Sequence, residues 1–231
     1  MHISCINIDN CIPSPHRRFN SHPFTFSKLS LRTSLTIFHL EFPYEMATSS
    51  KMEYTRLGKS GLKVSKVIFG GMSIGSSDWQ EWVLDEEAAL PLIKHAYDVG
   101  LNTFDTADVY SNGRSEEIIG KALKQYKIPR HRVVLLSKCY FGVADDGGQP
   151  PIADLMVNDG SYVNRIGLSR KHIIDAVDNS VERLGTYIDV LQIHRLDRDT
   201  PREEIMRALN DVVESGKVRY IGASSVCSLS S

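Results

Sequence analysis

Several segments of the sequence are predicted to be short β-strands, and four of them end in a side chain that can exchange a proton or hydrogen-bond a ligand. These strand-end residues are Asp105, Lys138, His194 and Ser224. Tyr110 lies on the loop after Asp105, five residues further on. In a parallel βα barrel, the carboxyl ends of the strands and the loops after them meet at one mouth. The five side chains are therefore expected to lie close together.

The chemistry that suits this set is the reduction of a carbonyl group. A hydride added to a carbonyl carbon leaves an alkoxide, which needs a proton donor near neutral pH. The phenol of Tyr110 could donate that proton, since an ammonium beside a phenol stabilises the phenolate and makes the phenol a better acid. Lys138 could supply the ammonium, Asp105 could hold it and offset its burial, and the imidazole of His194 could orient the carbonyl.

The elements that would position these residues alternate between apolar strands and amphipathic helices. Strands are predicted at Val67–Phe69, Asn102–Asp105, Val133–Leu136, Ile188–Ile193 and Val218–Ala223. Helices are predicted after Asp85, from Ser115, over Ser169–Leu184 and after Thr200, and a hairpin spans residues 54–65. This alternation predicts a parallel sheet covered by helices. It leaves open whether the sheet is a barrel or a doubly wound sheet.

Three local features carry their own expectations. Pro91 lies inside the first predicted helix, so the helix is expected either to kink there or to begin its regular part there. Thr200 is predicted to cap the last helix, in a capping box with Glu203 and with Pro201 at the first helical position. His172, near the start of a helix, is expected on the surface.

The composition indicates an ordinary globular protein and argues against several kinds of partner. Hydrophobic residues make up 42% of the chain and charged residues 24%, with a formal net charge of −1. Lys and Arg are scattered, which indicates neither a nucleic acid nor a membrane surface as partner. No apolar run approaches the ~18 residues that cross a bilayer. The four cysteines show no CxxC or zinc spacing, which predicts no metal site and reduced thiols in a cytoplasmic protein.

Four motifs, in one order along the chain, resemble those of the aldo-keto reductases. They are GLNTFDTADVYSNGRSEEIIGKAL at 100–123, VLLSK at 134–138, YIDVLQIHR at 187–195 and GKVRYIGASS at 216–225. The similarity extends from about Tyr54 to Ser225 and is greatest to the fungal and potassium-channel-β-like branch. It implies a (β/α)8 TIM barrel with residues 54–65 as a hairpin across its floor.

The resemblance also implies a catalytic set and a cofactor. The family's tetrad corresponds to Asp105, Tyr110, Lys138 and His194, with Tyr110 as the general acid. The implied cofactor is NADP(H), and the implied substrate is a small-molecule aldehyde or ketone that is reduced to an alcohol. An alternative is a non-catalytic NADPH-binding regulatory subunit, similar to the potassium-channel β proteins. The identity of the substrate and the oligomeric state stay open.

The cofactor-binding residues implied by the resemblance are Gly71, Met72, Asp105, Ser224 and Ser225. Gly71 and Met72 would approach the cofactor through backbone, and Ser224 would bind the nicotinamide carboxamide. Ser225 stands where many relatives have Asn or Arg. Two tryptophans after the first strand, at positions 79 and 82, would either line a substrate pocket or pack as a lid against the barrel rim.

The two ends of the chain are expected to differ from a complete barrel. Residues 1–45 lack helical or strand periodicity and are predicted to be a disordered extension or an artefact of start-codon placement. They are poor in acidic residues, which suggests mitochondrial targeting as an alternative, but Pro13, Pro15 and Pro23 interrupt any amphipathic helix. Residues 46–231 would form a partial aldo-keto reductase domain of five βα units. A complete barrel has eight units in about 250 residues, so a C-terminally truncated and partly folded barrel is expected.

Overall fold

A computed structural model describes residues 52–145, 147–150 and 153–224. The predicted extension at residues 1–45 and the predicted cofactor residue Ser225 lie outside these ranges. The strands are β1 Tyr54–Arg56, β2 Lys63–Ser65, β3 Phe69–Gly70, β4 Ile74–Gly75, β5 Leu84–Asp85, β6 Thr103–Asp105, β7 Val134–Cys139, β8 Ile188–Ile193 and β9 Val218–Ala223. The α-helices are α1 Glu86–Asp98, α2 Arg114–Gln125, α3 Arg170–Leu184 and α4 Arg202–Glu214.

The central sheet has five parallel strands in the order β3-β6-β7-β8-β9. Each strand lies beside the next one along the chain, and a helix crosses over between each pair. A doubly wound sheet reverses its strand order at a switch point, whereas a (β/α)8 barrel adds strands in one direction. The observed order is therefore that of a βα barrel, with five of its strands in the described part of the chain. The predicted fold class is confirmed.

The two faces of this sheet pack against different elements. The outer face is covered by the helices, and its fully buried side chains include Phe104, Leu135 and Leu191. The inner face carries Val134, Leu136 and Val190, which form a second apolar cluster with the β1–β2 hairpin. This packing places the hairpin across the amino end of the barrel interior, as predicted. Polar side chains line the carboxyl end of the interior.

The first strand and first helix differ in detail from their predictions. The predicted strand Val67–Phe69 is reduced to the two residues of β3, and Val67 is exposed. Helix α1 begins at Glu86 and continues through Pro91. Proline there removes the hydrogen bond to the carbonyl of Glu87, but both residues are on the exposed side of the helix. The lost bond therefore faces water, which lowers its cost.

Two local predictions were wrong. Thr200 does not cap α4: Pro201 occupies the N-cap position, and no side chain caps the helix. The Thr200 hydroxyl donates to Oδ2 of Asp197 at 2.7 Å, and this charge-assisted bond holds it on the loop before the helix. His172 is buried rather than on the surface, because the first turn of α3 packs under the end of β7, where the backbone of Tyr140 hydrogen-bonds the ring.

In the described ranges, no helix is both long and apolar enough to cross a membrane.

Candidate active site

Three of the predicted residues are brought to the carboxyl end of the sheet by the strands themselves. Asp105 is the last residue of β6, Lys138 is the fifth residue of β7, and His194 follows β8 directly. Side chains on a strand alternate between the two faces. Lys138 is two residues past Leu136, whose side chain packs in the barrel interior, so the lysine points to the same side. The β-strand period thus places its ammonium inside the mouth.

Lys138 is the centre of the site. Its ammonium donates to Oδ2 of Asp105 at 2.6 Å, to the backbone carbonyl of Thr106 at 2.8 Å and to the hydroxyl of Tyr110 at 3.1 Å. An ammonium has three N–H groups, so these acceptors use all of them. The side chain is only 6% exposed, and the Asp105 carboxylate partly compensates the buried charge. Because Tyr110 accepts from Lys138, its own O–H is left to donate elsewhere.

Tyr110 is held by a loop with unusual backbone conformation. The next three residues, Ser111, Asn112 and Gly113, have φ values of 48°, 53° and 89°. A left-handed conformation is costly for residues other than glycine and needs support from its surroundings. The Asn112 side chain provides support by bonding both backbone groups of Ala144, at 3.1 and 2.7 Å. This braced turn keeps the phenol, which is 9% exposed, against Lys138.

His194 completes the set predicted from the sequence. Its ring lies edge-on to Tyr110, with 5.8 Å between ring centroids, and edge-on to Phe141 at 5.0 Å. Burial, together with the positive charges of Lys138 and Arg195, lowers the pKa of His194 to about 3. The imidazole is therefore neutral around pH 7 and keeps one N–H donor. A neutral donor beside the phenol can hydrogen-bond a substrate oxygen without adding a proton to it.

The two tryptophans lie beside the same phenol. The ring of Trp79 is buried, 6.4 Å from that of Tyr110 and 6.1 Å from that of Trp82. Trp82 is 52% exposed, so it borders solvent. Trp79, Tyr110 and Phe141 also belong to one apolar cluster. The mouth is thus bordered by aromatic rings beside Tyr110.

The predicted cofactor residues that lie in the described part of the chain surround the rim of the mouth. Gly71 lies in a 3-10 turn beside Asp105, and a Cβ there would come within 2.8 Å of the Asp105 carbonyl. This close approach is a packing reason for glycine, independent of any ligand. Met72 is exposed, and the amide of Ser224 donates to the carbonyl of Ile193 at 2.9 Å. Gly71, Met72 and Ser224 thus frame the strand ends.

A buried carboxylate network lies behind the site. Glu116 on α2 is completely buried, accepts from Nε of Arg183 at 2.7 Å and bonds Ser137. Asp108 is also buried, and no side chain among the described residues hydrogen-bonds its carboxylate. Burial, and then the nearby Glu116 carboxylate, raise the pKa of Asp108 well above its usual value. A neutral Asp108 avoids the cost of an unpaired buried charge.

Sequence reasoning missed two residues that contact the site. Gln192 is completely buried, and its Nε2 donates to Oδ1 of Asp105 at 3.0 Å. Phe141 packs against His194. The strand alternation could have identified Gln192, since it lies two residues before His194 on β8 and therefore faces the same side. No sequence pattern identifies Phe141, because it lies in the long loop after β7.

The described residues contain no group of three or more His, Cys, Asp or Glu side chains arranged to hold a metal ion. What the site does offer is a phenol, an ammonium, a carboxylate and a neutral imidazole within hydrogen-bonding or ring-contact distance. Such an arrangement can donate a proton to an oxygen and stabilise the phenolate that is left.

Comparisons with known proteins agree with this geometry. Residues 66–228 match the model of the Aldo/keto reductase family. The chain is 72% identical over 176 residues to versiconal hemiacetal acetate reductase of Aspergillus parasiticus. This match covers 76% of this chain and 51% of that protein. It is 53% identical over 186 residues to aldo-keto reductase dtxS3 of Metarhizium robertsii, covering 78% and 50%.

A solved structure is similar as well. Aldo-keto reductase AKR11C1 from Bacillus halodurans, in its holo form, matches with a TM-score of 0.60 and 32% identity over 75% of this chain and 50% of that one. The chain spans about half the length of the curated relatives it matches. The family model nevertheless covers the strands and loops that carry the tetrad, from before β3 to beyond β9. The chain therefore belongs to the aldo/keto reductase family.

Proposed function

We propose that the protein reduces an aldehyde or ketone to an alcohol, with NADPH as the hydride donor and Tyr110 as the proton donor. The observation that carries this proposal is the 3.1 Å contact between the Lys138 ammonium and the Tyr110 hydroxyl. Lys138 donates in this contact, so the phenolic proton points to another acceptor. A carbonyl oxygen in the mouth is the acceptor that the chemistry calls for.

The residues at the mouth suit a nicotinamide. When bound, NADPH would supply the hydride that adds to the carbonyl carbon. Gly71, Met72, Asp105, Ser224 and Ser225 would hold its nicotinamide end. The choice of NADPH over NADH rests on the family resemblance.

The proton is handled by the chain's own side chains. As the carbonyl oxygen gains negative charge, Tyr110 transfers its proton to that oxygen and becomes a phenolate. The Lys138 ammonium stabilises the phenolate through the hydrogen bond that is already formed, so little reorganisation is needed. The neutral imidazole of His194 donates to the same oxygen and orients it. After the alcohol leaves, Tyr110 regains a proton from solvent.

The aromatic residues beside Tyr110 indicate which class of substrate the site would accept. Trp79, Trp82 and Phe141 present flat apolar surfaces beside the reacting phenol. Such walls favour apolar or aromatic carbonyl compounds over charged ones. The similarity to a versiconal hemiacetal acetate reductase makes versiconal hemiacetal acetate a second compound to test beside a simple aromatic aldehyde.

The proposal is tested by NADPH oxidation with 4-nitrobenzaldehyde in the full-length protein. Tyr110→Phe removes the donor but keeps the ring, so kcat should fall by about 10²–10⁴-fold while NADPH binding is retained. Tyr126→Phe is the matched control, because Tyr126 lies at the end of α2, away from the mouth. Turnover that survives Tyr110→Phe would show that another group donates the proton.

The same assay addresses the regulatory alternative. A non-catalytic NADPH-binding subunit, similar to the potassium-channel β proteins, would bind NADPH tightly and oxidise it with neither 4-nitrobenzaldehyde nor versiconal hemiacetal acetate. The comparisons do not favour this function, since the similar proteins are named as reductases. Tight binding without turnover by the unaltered protein would nevertheless favour it and overturn the proposed reduction.

A further inference from the structure

The Asp105 carboxylate divides its two oxygens between two different partners. Oδ2 accepts from the Lys138 ammonium at 2.6 Å, and Oδ1 accepts from Nε2 of Gln192 at 3.0 Å. Within the described residues, Gln192 is the only side chain that donates to Oδ1. Lys138 and Gln192 are direct neighbours across β7 and β8. The Gln192 amide therefore lies close enough to bond Oδ1, the oxygen that Lys138 does not use.

This division of the carboxylate matters for Lys138. A carboxylate without a second donor is free to turn both oxygens toward the ammonium, since such paired contacts are strong. Lys138 would then give Asp105 the N–H that it now gives to Tyr110, because all three of its donors are in use. With Oδ1 bonded to Gln192, the carboxylate holds the lysine through one oxygen only. The third N–H stays on the phenol.

The side chain at position 192 is suited to this task. An ionised carboxylate only accepts hydrogen bonds, so the donor must be an N–H or O–H group. The amide of Gln192 is neutral and completely buried, so it donates to Asp105 without adding a charge to the Lys138–Asp105 pair. A cation at this position would compete with Lys138 for the carboxylate, and an apolar residue would donate nothing.

We propose that Gln192 is a positioning residue of the active site: its amide fixes the Asp105 carboxylate so that Lys138 keeps one N–H on Tyr110. This rests on the proposed function, in which the Lys138–Tyr110 contact assists proton donation. Gln192 itself contacts neither the phenol nor the ammonium by hydrogen bond. Its influence passes through Asp105.

The test is a double-mutant cycle in the full-length protein. Gln192→Met keeps nearly the same volume and removes the donor. It should lower kcat with 4-nitrobenzaldehyde by about 10–100-fold, the size of effect expected for a displaced catalytic group. The KM values for NADPH and aldehyde should change less than twofold. In the Asp105→Asn background, the same substitution should change kcat less than twofold, because the partner it holds has been altered.

Two further variants separate positioning from packing. Gln192→Asn keeps an amide but withdraws it from Asp105, and should resemble Gln192→Met. Leu191→Met alters the outer face of the same strand, where the side chain packs under the helices, and should leave kcat unchanged. Equal losses from Gln192→Met with and without Asp105→Asn would overturn the proposal, since they would show a general packing role.

A second measurement does not depend on turnover. The cycle between Gln192→Met and Asp105→Asn should show a coupling of about 10-fold in the unfolding equilibrium constant, as expected for a buried hydrogen bond to a charged group. Absence of this coupling overturns the proposal. An unaltered protein that binds NADPH without turnover overturns the proposed function instead, while the coupling still decides whether Gln192 holds Asp105.

Discussion

Two largely buried ion pairs lie at opposite ends of the sheet and are built differently. At the amino end, Arg130 bonds Asp189 at 2.6 Å, and at the carboxyl end, Lys138 bonds Asp105 at the same distance. Arg130 also donates to the carbonyls of Val133 and Tyr187 and to the Thr186 hydroxyl. Its partner carboxylate accepts from the backbone amide of Leu135 as well. Every contact of the amino-end pair is therefore with a structural group.

In the carboxyl-end pair, Lys138 instead donates one hydrogen bond to a group that is free to react, the phenol of Tyr110. The buried side-chain atoms that lack partners in the described residues also lie at this end. They belong to Asp108, Gln149, His172, Gln192 and His194. Unmatched buried polar groups cost stability. In a βα barrel the amino end serves stability and the carboxyl end serves function, and the two pairs show how that division is made.

Breaking the amino-end pair should have the largest effect, and it should fall on stability alone. Arg130→Met leaves the Asp189 carboxylate buried without its cation, which should lower the free energy of unfolding by about 3–5 kcal/mol. Urea denaturation measures this loss. Arg130→Met combined with Asp189→Asn should recover part of it, because no buried charge remains. A drop in turnover per folded molecule in Arg130→Met would contradict a purely structural role for the amino-end pair.

Breaking the carboxyl-end pair should have the next largest effect, mainly on activity. Lys138→Met removes the charge that stabilises the phenolate, so kcat should fall by about 10²–10³-fold. Lys124→Met, at an exposed lysine of α2, is the control. Because Lys138 acts through Tyr110, adding Lys138→Met to Tyr110→Phe should cause little further loss. Fully multiplicative losses would show that the two residues act independently.

The smallest predicted effect is an acid sensitivity that arises at the carboxyl end. Burial lowers the pKa of His172 from 6.5 to about 4 and is the main cause of the low pKa of His194. Below pH 6.5 the unfolded chain binds protons that the folded chain does not, so stability falls as the pH decreases toward 4. Each histidine contributes a slope of at most about 1.4 kcal/mol per pH unit. Asp108, whose pKa is raised, contributes a slope of the opposite sign.

The contribution of His172 to this pH dependence is obtained by comparing His172→Gln with the unaltered protein. The free energy of unfolding of His172→Gln, measured at pH 7, 6 and 5, should fall less steeply than that of the unaltered protein. The contribution of Asp108 is present in both proteins and cancels. His131→Gln replaces an exposed histidine at the amino end of β7 and should keep the full slope. Identical slopes for His172→Gln and the unaltered protein would contradict the assignment.

Much of the fold follows from patterns that are local in the sequence. Apolar runs such as Val133–Leu136 and the amphipathic segment Ser169–Leu184 predicted strand β7 and helix α3 to within a few residues. The two predictions that were wrong differ in range. The Thr200 hydroxyl donates to Asp197, only three residues before it, so the sequence contained this acceptor but did not show that the hydroxyl would bond it rather than cap α4. His172 is buried under the end of β7, which the neighbouring sequence cannot show because it depends on which element packs there.

The sequence by itself determined which side chains stand at the strand ends, since strand period and helix amphipathicity are local properties of the chain. It thereby identified Asp105, Tyr110, Lys138 and His194 as one set. Only the tertiary structure decided how these groups share their hydrogen bonds. The bond from Gln192 to Asp105 joins residues 87 apart, and the bond from Lys138 to Tyr110 joins residues 28 apart. Strand register and loop conformation fix both, because a hydrogen bond forms only when packing brings donor and acceptor to about 3 Å.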